Sequence, residues 1–339
     1  MKPLLFIYIF LYNIIIMNKS IRKTIQKRKN VKSYRKYQTR RNKMNCSPMV
    51  NNKTVNNNTC FTVDVLMKIK NEYNKNHLSN QITETDPNIV WNILHEKLND
   101  CDREDCWLKE ISAHERNEIH NYIFAPNSPP IWKKNKNEWL SNIDIEKVMN
   151  QYEKTYHCFT FIGPVPIDFD SRIPSGDRCV TRELCDFSLS EQLKNKKHKI
   201  GIIFNLDKHN EKGSHWVSLF IDVKEQVIIY FDSVGDKIPN EILVLKDRIV
   251  KQGLLITNNY NHSRIRIPIR FSFYQNYLNN HQKGNSECGM YSLFFIITML
   301  TDTKNKKKMN MKEKLELFNN KTIPDKYVEK YRNIYFNSN

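Results

Sequence analysis

The sequence predicts an α+β fold in which a helical arm precedes a central mixed β-sheet with a buried helix packed across it. Three observations predict this fold. Short runs rich in β-branched and aromatic residues, bounded by polar turns, follow one another at 198–206, 215–222 and 226–232. Residues 288–300 are apolar on every side, which is typical of a buried helix. Upstream, residues 61–124 show helical rather than strand periodicity.

The helical arm comes first along the chain. Asp86 is suited to cap a helix, and Pro87 fits the first turn of that helix. Three prolines within 125–132 cannot continue a helix and mark the end of the arm. We therefore assign 46–135 to the arm and 136–339 to the second domain. The helical segments of the arm are 61–74, 86–98 and 106–124.

The second domain begins with a predicted helix at 139–154, whose apolar residues recur at helical spacing. The strands that follow are joined by short polar turns and predict a meander. Residues 265–273 alternate strictly between apolar and polar, but Pro268 indicates a sheet edge or a bulge. A surface loop at 302–312 and a helix at 324–336 complete the prediction.

The charge of the chain is concentrated near its start. Of a formal net charge of +18, twelve positive residues lie between Lys19 and Lys43, a stretch without acidic residues. We expect residues 1–45 to include a basic tail that is disordered when free, because like charges repel and few apolar residues oppose them. A solvated tail, a nucleic-acid contact through 19–43 and a nuclear-import signal remain alternatives.

An apolar run at residues 4–17 precedes this tail. It is shorter than the roughly 20 residues that cross a bilayer, so no stable membrane span is expected. No small-residue cleavage site follows it, and dense positive charge opposes translocation of what comes next. Initiation at Met17 is the favoured interpretation, with a membrane anchor as the alternative.

The eight cysteines do not predict a disulfide framework, because 339 residues with 40% hydrophobic composition can bury a core without one. We expect mostly free thiols in a reducing compartment. Cys101 and Cys106, like Cys179 and Cys185, are spaced more widely than the usual zinc knuckle. No metal site and no cofactor are predicted.

Cys288 is the candidate nucleophile. It stands at the predicted start of the buried helix, where free backbone N–H groups and the helix dipole favour a thiolate. His215 opens a strand after a polar loop and could act as its general base, and Asp232 ends the next strand. Because the two strands are predicted to be antiparallel neighbours, Asp232 should lie beside His215 and orient the imidazole.

Gln282 lies six residues before Cys288, in the loop that leads into the helix. A side-chain amide there could join the Cys288 backbone N–H in stabilising an oxyanion. Each of the four residues, taken singly, is better explained by an ordinary structural role. Their order on strand, strand, loop and helix start predicts one site for covalent acyl transfer.

At these residues the chain resembles the adenain-like cysteine proteases, a clan that includes SUMO-deconjugating proteases, the adenovirus protease and maturation proteases of large DNA viruses. GSHWVSLFIDVKEQVIIYFDSVG and QKGNSECGMYSLFF resemble the His, Asp and Gln/Cys boxes of that clan. Within the clan, FIGPVPIDFD, ECGMYSLFFI and the preceding arm most resemble the thiol proteases of giant and asfarvirus-type DNA viruses.

The resemblance implies a papain-like, adenain-like fold and a cysteine endopeptidase. It implies cleavage of viral capsid or core precursors after Gly-Gly-type sites during virion maturation, with Trp216 lining a narrow channel to Cys288. The expected partners are viral structural precursors, and the expected locations are the virion and, before packaging, the host cytoplasm. Deconjugation of SUMO or another ubiquitin-like protein, and an inactive nucleic-acid-binding virion protein, are the alternatives.

Overall fold

The structure is a computed structural model that describes residues 44–100, 103–173, 178–258, 267–304 and 307–338. The predictions made for residues 4–17 and 19–43 lie outside these ranges. Within them, no helix is long and apolar enough to cross a bilayer. The described chain forms two compact units. The first comprises Met44, 55–59 and 63–116, and the second comprises 45–54, 60–62 and the residues from Asn117 onward.

The first unit is helical, as its periodicity predicts. It contains α1 (Val63–Asn76), α2 (Pro87–Lys97) and the start of α3 (Ala113–Ile123). Asp86 caps α2, because its Oδ1 accepts hydrogen bonds from the backbone N–H groups of Asn88 and Ile89. Leu66, Ile69, Val90, Leu94 and Trp107 form much of the buried core of this unit.

The second unit contains a five-stranded mixed sheet in the order β1-β2-β3-β4-β7. The outer pairs, β1 with β2 and β4 with β7, are parallel, whereas β2, β3 and β4 form the predicted antiparallel meander. The strands are β1 (Phe159–Pro166), β2 (Lys199–Asn205), β3 (Trp216–Asp222), β4 (Val227–Phe231), β5 (Thr257–Asn258), β6 (Ile267–Pro268), β7 (Ser272–Gln275), β8 (Thr303–Lys304) and β9 (Lys307–Lys308).

Helices cover both faces of this sheet. The helices of this unit that follow α3 are α4 (Asn142–Thr155), α5 (Arg182–Cys185), α6 (Leu189–Lys194), α7 (Asn240–Leu255), α8 (Cys288–Thr301), α9 (Met311–Leu315), α10 (Asp325–Glu329) and α11 (Arg332–Tyr335). Helix α8 packs with α4 on one face, against Phe159, Phe220 and Phe231. Helix α7 covers the opposite face, which carries Leu219 and Ile228.

Helix α8 is the buried helix that the all-round apolar pattern predicts. Every residue from Cys288 to Leu300 is buried. Since burying a large apolar side chain stabilises a fold by about 1.5–3 kcal/mol, the many apolar side chains of α8 strongly resist displacement of the helix. The N-terminus of α8, and with it Cys288, therefore has a defined place beside the sheet.

Three predicted elements are wrong in their extent. The strand expected at 265–273 is divided: β6 pairs with β5 in a separate two-stranded sheet, and β7 pairs with β4 at the edge of the main sheet. Pro268 ends β6, where the missing N–H costs no bond in the main sheet. The helix expected at 324–336 is two short helices, α10 and α11, and the loop expected at 302–312 contains the β8–β9 pair and the start of α9.

The expectation of mostly free thiols is also wrong. Disulfides join Cys46 to Cys60 and Cys179 to Cys185, whose Cα atoms are 5.1 and 6.3 Å apart, within the usual range. Cys106 is disulfide-bonded as well. Among the described residues, the free thiols are Cys158 and Cys288, and only Cys288 is buried. Within the same ranges, no cluster of His, Cys, Asp and Glu could hold a metal ion.

Candidate active site

His215 and Asp232 meet where β3 begins and β4 ends. The antiparallel register pairs Ser218 of β3 with Phe231 of β4, so the start of β3 lies beside the end of β4. His215 Nε2 is 2.7 Å from Asp232 Oδ1. The adjacency predicted from the two strands is therefore confirmed.

The Asp232 carboxylate is fully buried and held by its surroundings. Its Oδ1 also accepts a hydrogen bond from the backbone N–H of Val234, at 2.9 Å. Asn276, just after β7, clamps the Asp232 backbone: its Oδ1 accepts from the Asp232 N–H at 2.9 Å, and its Nδ2 donates to the Asp232 carbonyl at 2.6 Å. No sequence signal pointed to Asn276, because this contact depends on the pairing of β4 with β7.

The His215 imidazole connects Asp232 to Cys288. It also interacts with the Cys288 side chain, and since Nε2 faces Asp232, Nδ1 is the ring nitrogen left for the thiol. Burial alone would lower the pKa of His215, but the hydrogen bonds and charges of Asp232 and Cys288 outweigh it and raise the pKa to about 10. At neutral pH this arrangement favours a protonated His215 imidazolium beside the Cys288 sulfur at the start of α8.

Gln282 is hydrogen-bonded to Ser233, the residue that follows Asp232. Its backbone N–H donates to the Ser233 carbonyl at 2.8 Å, and its Oε1 accepts from the Ser233 hydroxyl at 2.7 Å. Its Nε2 donates to the Gly284 carbonyl at 2.9 Å. An amide carries two N–H groups, so this bond leaves a second one for another acceptor.

Trp216 is almost completely buried beside the nucleophile helix. Its Nε1 donates to the Leu140 carbonyl at 3.1 Å. A Cβ atom on Gly289, the residue after Cys288, would lie 3.2 Å from the Trp216 ring and 3.1 Å from the Leu140 side chain. The close approach of these three residues explains why glycine follows the cysteine. A channel-lining role for Trp216 stays a prediction.

Arg332 of α11 is a buried cation near the nucleophile that the sequence interpretation missed. Its guanidinium lies 4.5 Å from the centre of the Trp132 ring and donates to the Glu138 carbonyl at 2.9 Å. It also interacts electrostatically with Cys288. An arginine 44 positions after the cysteine carries no local signal, because the C-terminal helices must fold back onto α8 to bring it there.

Comparison with known proteins identifies the domain that carries this site. Residues 172–336 match the model of the Ulp1 protease family, C-terminal catalytic domain. A provisionally named thiol protease of Acanthamoeba polyphaga mimivirus is 28% identical over 268 residues, which cover 72% of this chain and 81% of that protein. The domain is a cysteine peptidase similar to the Ulp1 family.

Other relatives of this cysteine peptidase are also viral. A cysteine protease of African swine fever virus is 26% identical over 170 residues, which cover 48% of this chain and 58% of that protein. The match thus spans little more than half the length of that relative. A crystal structure of the African swine fever virus protease superposes with a TM-score of 0.57 at 18% identity, covering 88% of this chain and 97% of that one. This likeness confirms the α+β protease fold.

Replacing Asp232 with Asn should lower the pH at which kcat/KM falls on the alkaline side of its pH profile. The variant keeps the shape of the side chain but removes the charge that raises the His215 pKa to about 10, so His215 will lose its proton at a lower pH. We expect hydrolysis at neutral pH to fall by about 10²–10⁴-fold, with kcat/KM declining at lower pH than in the wild type. A peptide-hydrolysis profile from about pH 5 to 11 measures both effects.

Asp168→Asn is the matched control for this variant. Asp168 pairs with His209 at 2.6 Å, but this second Asp–His pair is half-exposed on the histidine side and is not bonded to Cys288. Its substitution should leave the profile unchanged. An upper limb that stays at the wild-type pH in Asp232→Asn would contradict the assignment.

Proposed function

We propose that Cys288, His215, Asp232 and Gln282 form the catalytic site of a cysteine endopeptidase. The observation that carries this proposal is the His215 imidazole, which bridges a fully buried carboxylate and the only buried free thiol among the described residues. The thiolate attacks the scissile carbonyl carbon, and the carbonyl π electrons move onto its oxygen. The His215 imidazolium then gives its proton to the leaving amine as the C–N bond breaks.

Hydrolysis of the resulting thioester completes the cycle. Neutral His215 takes a proton from water, the hydroxide attacks the acyl carbon, and the Cys288 thiolate leaves as the acid is released. In both steps negative charge develops on the carbonyl oxygen. The free N–H of Gln282 and the backbone N–H of Cys288, at the N-terminus of α8, are the proposed donors to it.

The proposed substrates are viral structural precursors cut after Gly-Gly-type sites. The named relatives are viral proteases, and the similarity to the mimivirus protein extends well beyond the family domain. Trp216 is buried beside Gly289 and Leu140, next to Cys288. This close packing supports a narrow approach to Cys288 that a substrate glycine, which has no side chain, would fit best. Action in the virion, after synthesis in the host cytoplasm, is part of the same proposal.

Deconjugation of SUMO-like proteins is the second candidate. It is favoured by the Ulp1 family match and by the name SUMO-1 cysteine protease, which an African swine fever virus relative carries. A ubiquitin-like substrate presents a folded domain before its Gly-Gly terminus, whereas a precursor site need only present an extended peptide.

A direct competition distinguishes the two candidates. The full chain is incubated with Gly-Gly-Xaa peptides, candidate capsid precursors, and SUMO and ubiquitin fusions, and the new N-termini are sequenced. Precursor cleavage predicts products from peptides and capsid proteins at rates well above those from the fusions. Cleavage of the fusions alone would replace the precursor proposal with deconjugation. Cys288→Ala is the control in every arm.

A further inference from the structure

The loop that carries Gln282 is supported by a segment far away in sequence. We call residues 279–284 the Gln282 loop and residues 318–325 the C-terminal brace. The brace follows α9 and ends at the first residue of α10. Both segments lie against the nucleophile helix, so a contact between them bears on how Gln282 stands relative to Cys288.

The first half of the contact is a ladder of hydrogen bonds to backbone atoms of the brace. Asn279 Nδ2 donates to the Asn319 carbonyl at 2.9 Å. His281, fully buried, is 2.8 Å from the Phe318 carbonyl through Nε2, and its Nδ1 accepts from the Ile323 N–H at 3.0 Å. Burial lowers the pKa of His281, which favours the neutral tautomer that these two bonds require. The residue immediately before Gln282 is thus held by the brace.

Asp325 makes the second half of the contact between the C-terminal brace and the Gln282 loop. Its Oδ2 accepts from the backbone N–H groups of Gly284 and Lys283, at 2.8 and 3.0 Å. Its Oδ1 is 2.8 Å from the hydroxyl of Tyr291, which lies almost one turn after Cys288 on α8. One carboxylate therefore joins the Gln282 loop to the nucleophile helix. Tyr291 also contacts the brace through the Ile323 carbonyl, at 2.7 Å.

Gly284 transmits this restraint to Gln282. Its N–H is bonded to Asp325, and its carbonyl accepts from Gln282 Nε2. On the other side, Ser233 holds Gln282 Oε1. The orientation of the amide is therefore set by the residue after Asp232 at one end and by Asp325, through Gly284, at the other.

We propose that Asp325 is a positioning residue for the oxyanion site, holding Gln282 in register with Cys288. The inference rests on the proposed catalytic role of Gln282. A misplacement of about 1 Å in a reacting group costs on the order of 10²-fold in rate, so an anchor that joins the amide to the nucleophile helix acts on kcat. Hydrogen bonds to a carboxylate are roughly twice as strong as neutral ones, which favours Asp over Asn at this position.

The test uses two reactions of the same cysteine. Peptide hydrolysis places negative charge on an oxygen and needs the oxyanion donors, whereas alkylation of Cys288 by iodoacetamide is a displacement at a saturated carbon and does not. Asp325→Asn should lower kcat by about 10–100-fold with little change in KM. Its rate of alkylation should stay within about twofold of the wild type, because the thiolate is untouched.

A double-mutant cycle adds the second readout. Gln282→Ala should lower kcat by about 10²–10³-fold, and Asp325→Asn should then add little, because the amide it positions is gone. Glu329→Gln is the matched control. It removes one carboxylate from the open cleft of about 470 Å³ that Asp325 also lines, and it should leave hydrolysis unchanged.

The results expected for a positioning role of Asp325 differ from those expected without one. Equal losses of hydrolysis and alkylation in Asp325→Asn, additive effects with Gln282→Ala, or full activity would each overturn the positioning role. If Asp325→Asn does not fold, Tyr291→Phe removes one hydroxyl from the same linkage. Slower hydrolysis with unchanged alkylation then supports the role, and unchanged hydrolysis overturns it. An active wild type with inactive Cys288→Ala keeps the proposed function intact in either case.

Discussion

Replacing Cys288 with Ala is expected to lower peptide hydrolysis by at least about 10⁴-fold, to the limit of detection. The variant lacks the sulfur that forms the covalent bond to the acyl group, and no other described free thiol is buried beside His215. The fold should survive, because alanine is smaller than cysteine and is a good helix former at the start of α8. Initial rates on a Gly-Gly-Xaa peptide, with circular dichroism and thermal melting, measure both expectations.

Cys158→Ala is the control for that experiment. Cys158 is the other free thiol in the described parts of the chain and is partly exposed. Its substitution should leave hydrolysis at the wild-type rate. A thiol-directed peptide probe should label Cys288 in both wild type and control, and label nothing at this site in Cys288→Ala. Residual hydrolysis of Cys288→Ala above about one tenth of the wild-type rate would refute the nucleophile assignment.

Removal of the His215 side chain is expected to have the next largest effect. His215→Ala loses the proton donor for the leaving amine and the cation that stabilises the thiolate, so hydrolysis should fall by about 10³-fold or more. Unlike Asp325→Asn, this variant should also slow alkylation of Cys288 near pH 6. Without the imidazolium, the attacking sulfur loses the neighbouring cation that favours its reactive form. Paired hydrolysis and alkylation rates provide the measurement.

The raised pKa of His215 should also make the free energy of unfolding depend on pH. The folded-state pKa of His215, about 10, lies above its ordinary value of 6.5, so the native state retains a proton that the unfolded chain releases. The stabilisation is fully present below pH 6.5 and is lost as the pH rises toward about 10. Urea unfolding across that range should show a decline that is smaller in His215→Ala. The control His209→Ala, from the half-exposed pair with Asp168, should resemble the wild type in rate and slope. An alkylation rate at pH 6 that survives the loss of His215 would argue against the ion pair.

Local patterns were enough to predict the frame of this site. Alternation and tight polar turns predict that β3 and β4 are antiparallel neighbours, and that geometry alone brings His215 next to Asp232. The all-round apolar pattern from Cys288 onward predicts that α8 is buried, and the Asp86–Pro87 start of α2 is read correctly from its cap. These features depend on residues close together in sequence.

The wrongly predicted elements show that local patterns do not determine which strands or cysteines pair with each other. A strictly alternating stretch around Pro268 becomes parts of two sheets, because β6 pairs with β5 rather than with a strand of the main sheet. Cys46 and Cys60, expected as free thiols, are joined because the intervening chain returns them to bonding distance. Spacing in sequence does not determine either outcome.

What the sequence by itself determined is therefore the fold class and the order of His215, Asp232, Gln282 and Cys288, since strand alternation, turn length and helix burial are local properties. Only the tertiary structure decided how these residues are held. Asn276 clamps Asp232 from 44 positions away, and Asp325 reaches Gly284 from 41. Such contacts depend on where β7 and the C-terminal brace pack. That packing is the summed result of many weak interactions across the core and leaves no signature at the residues themselves.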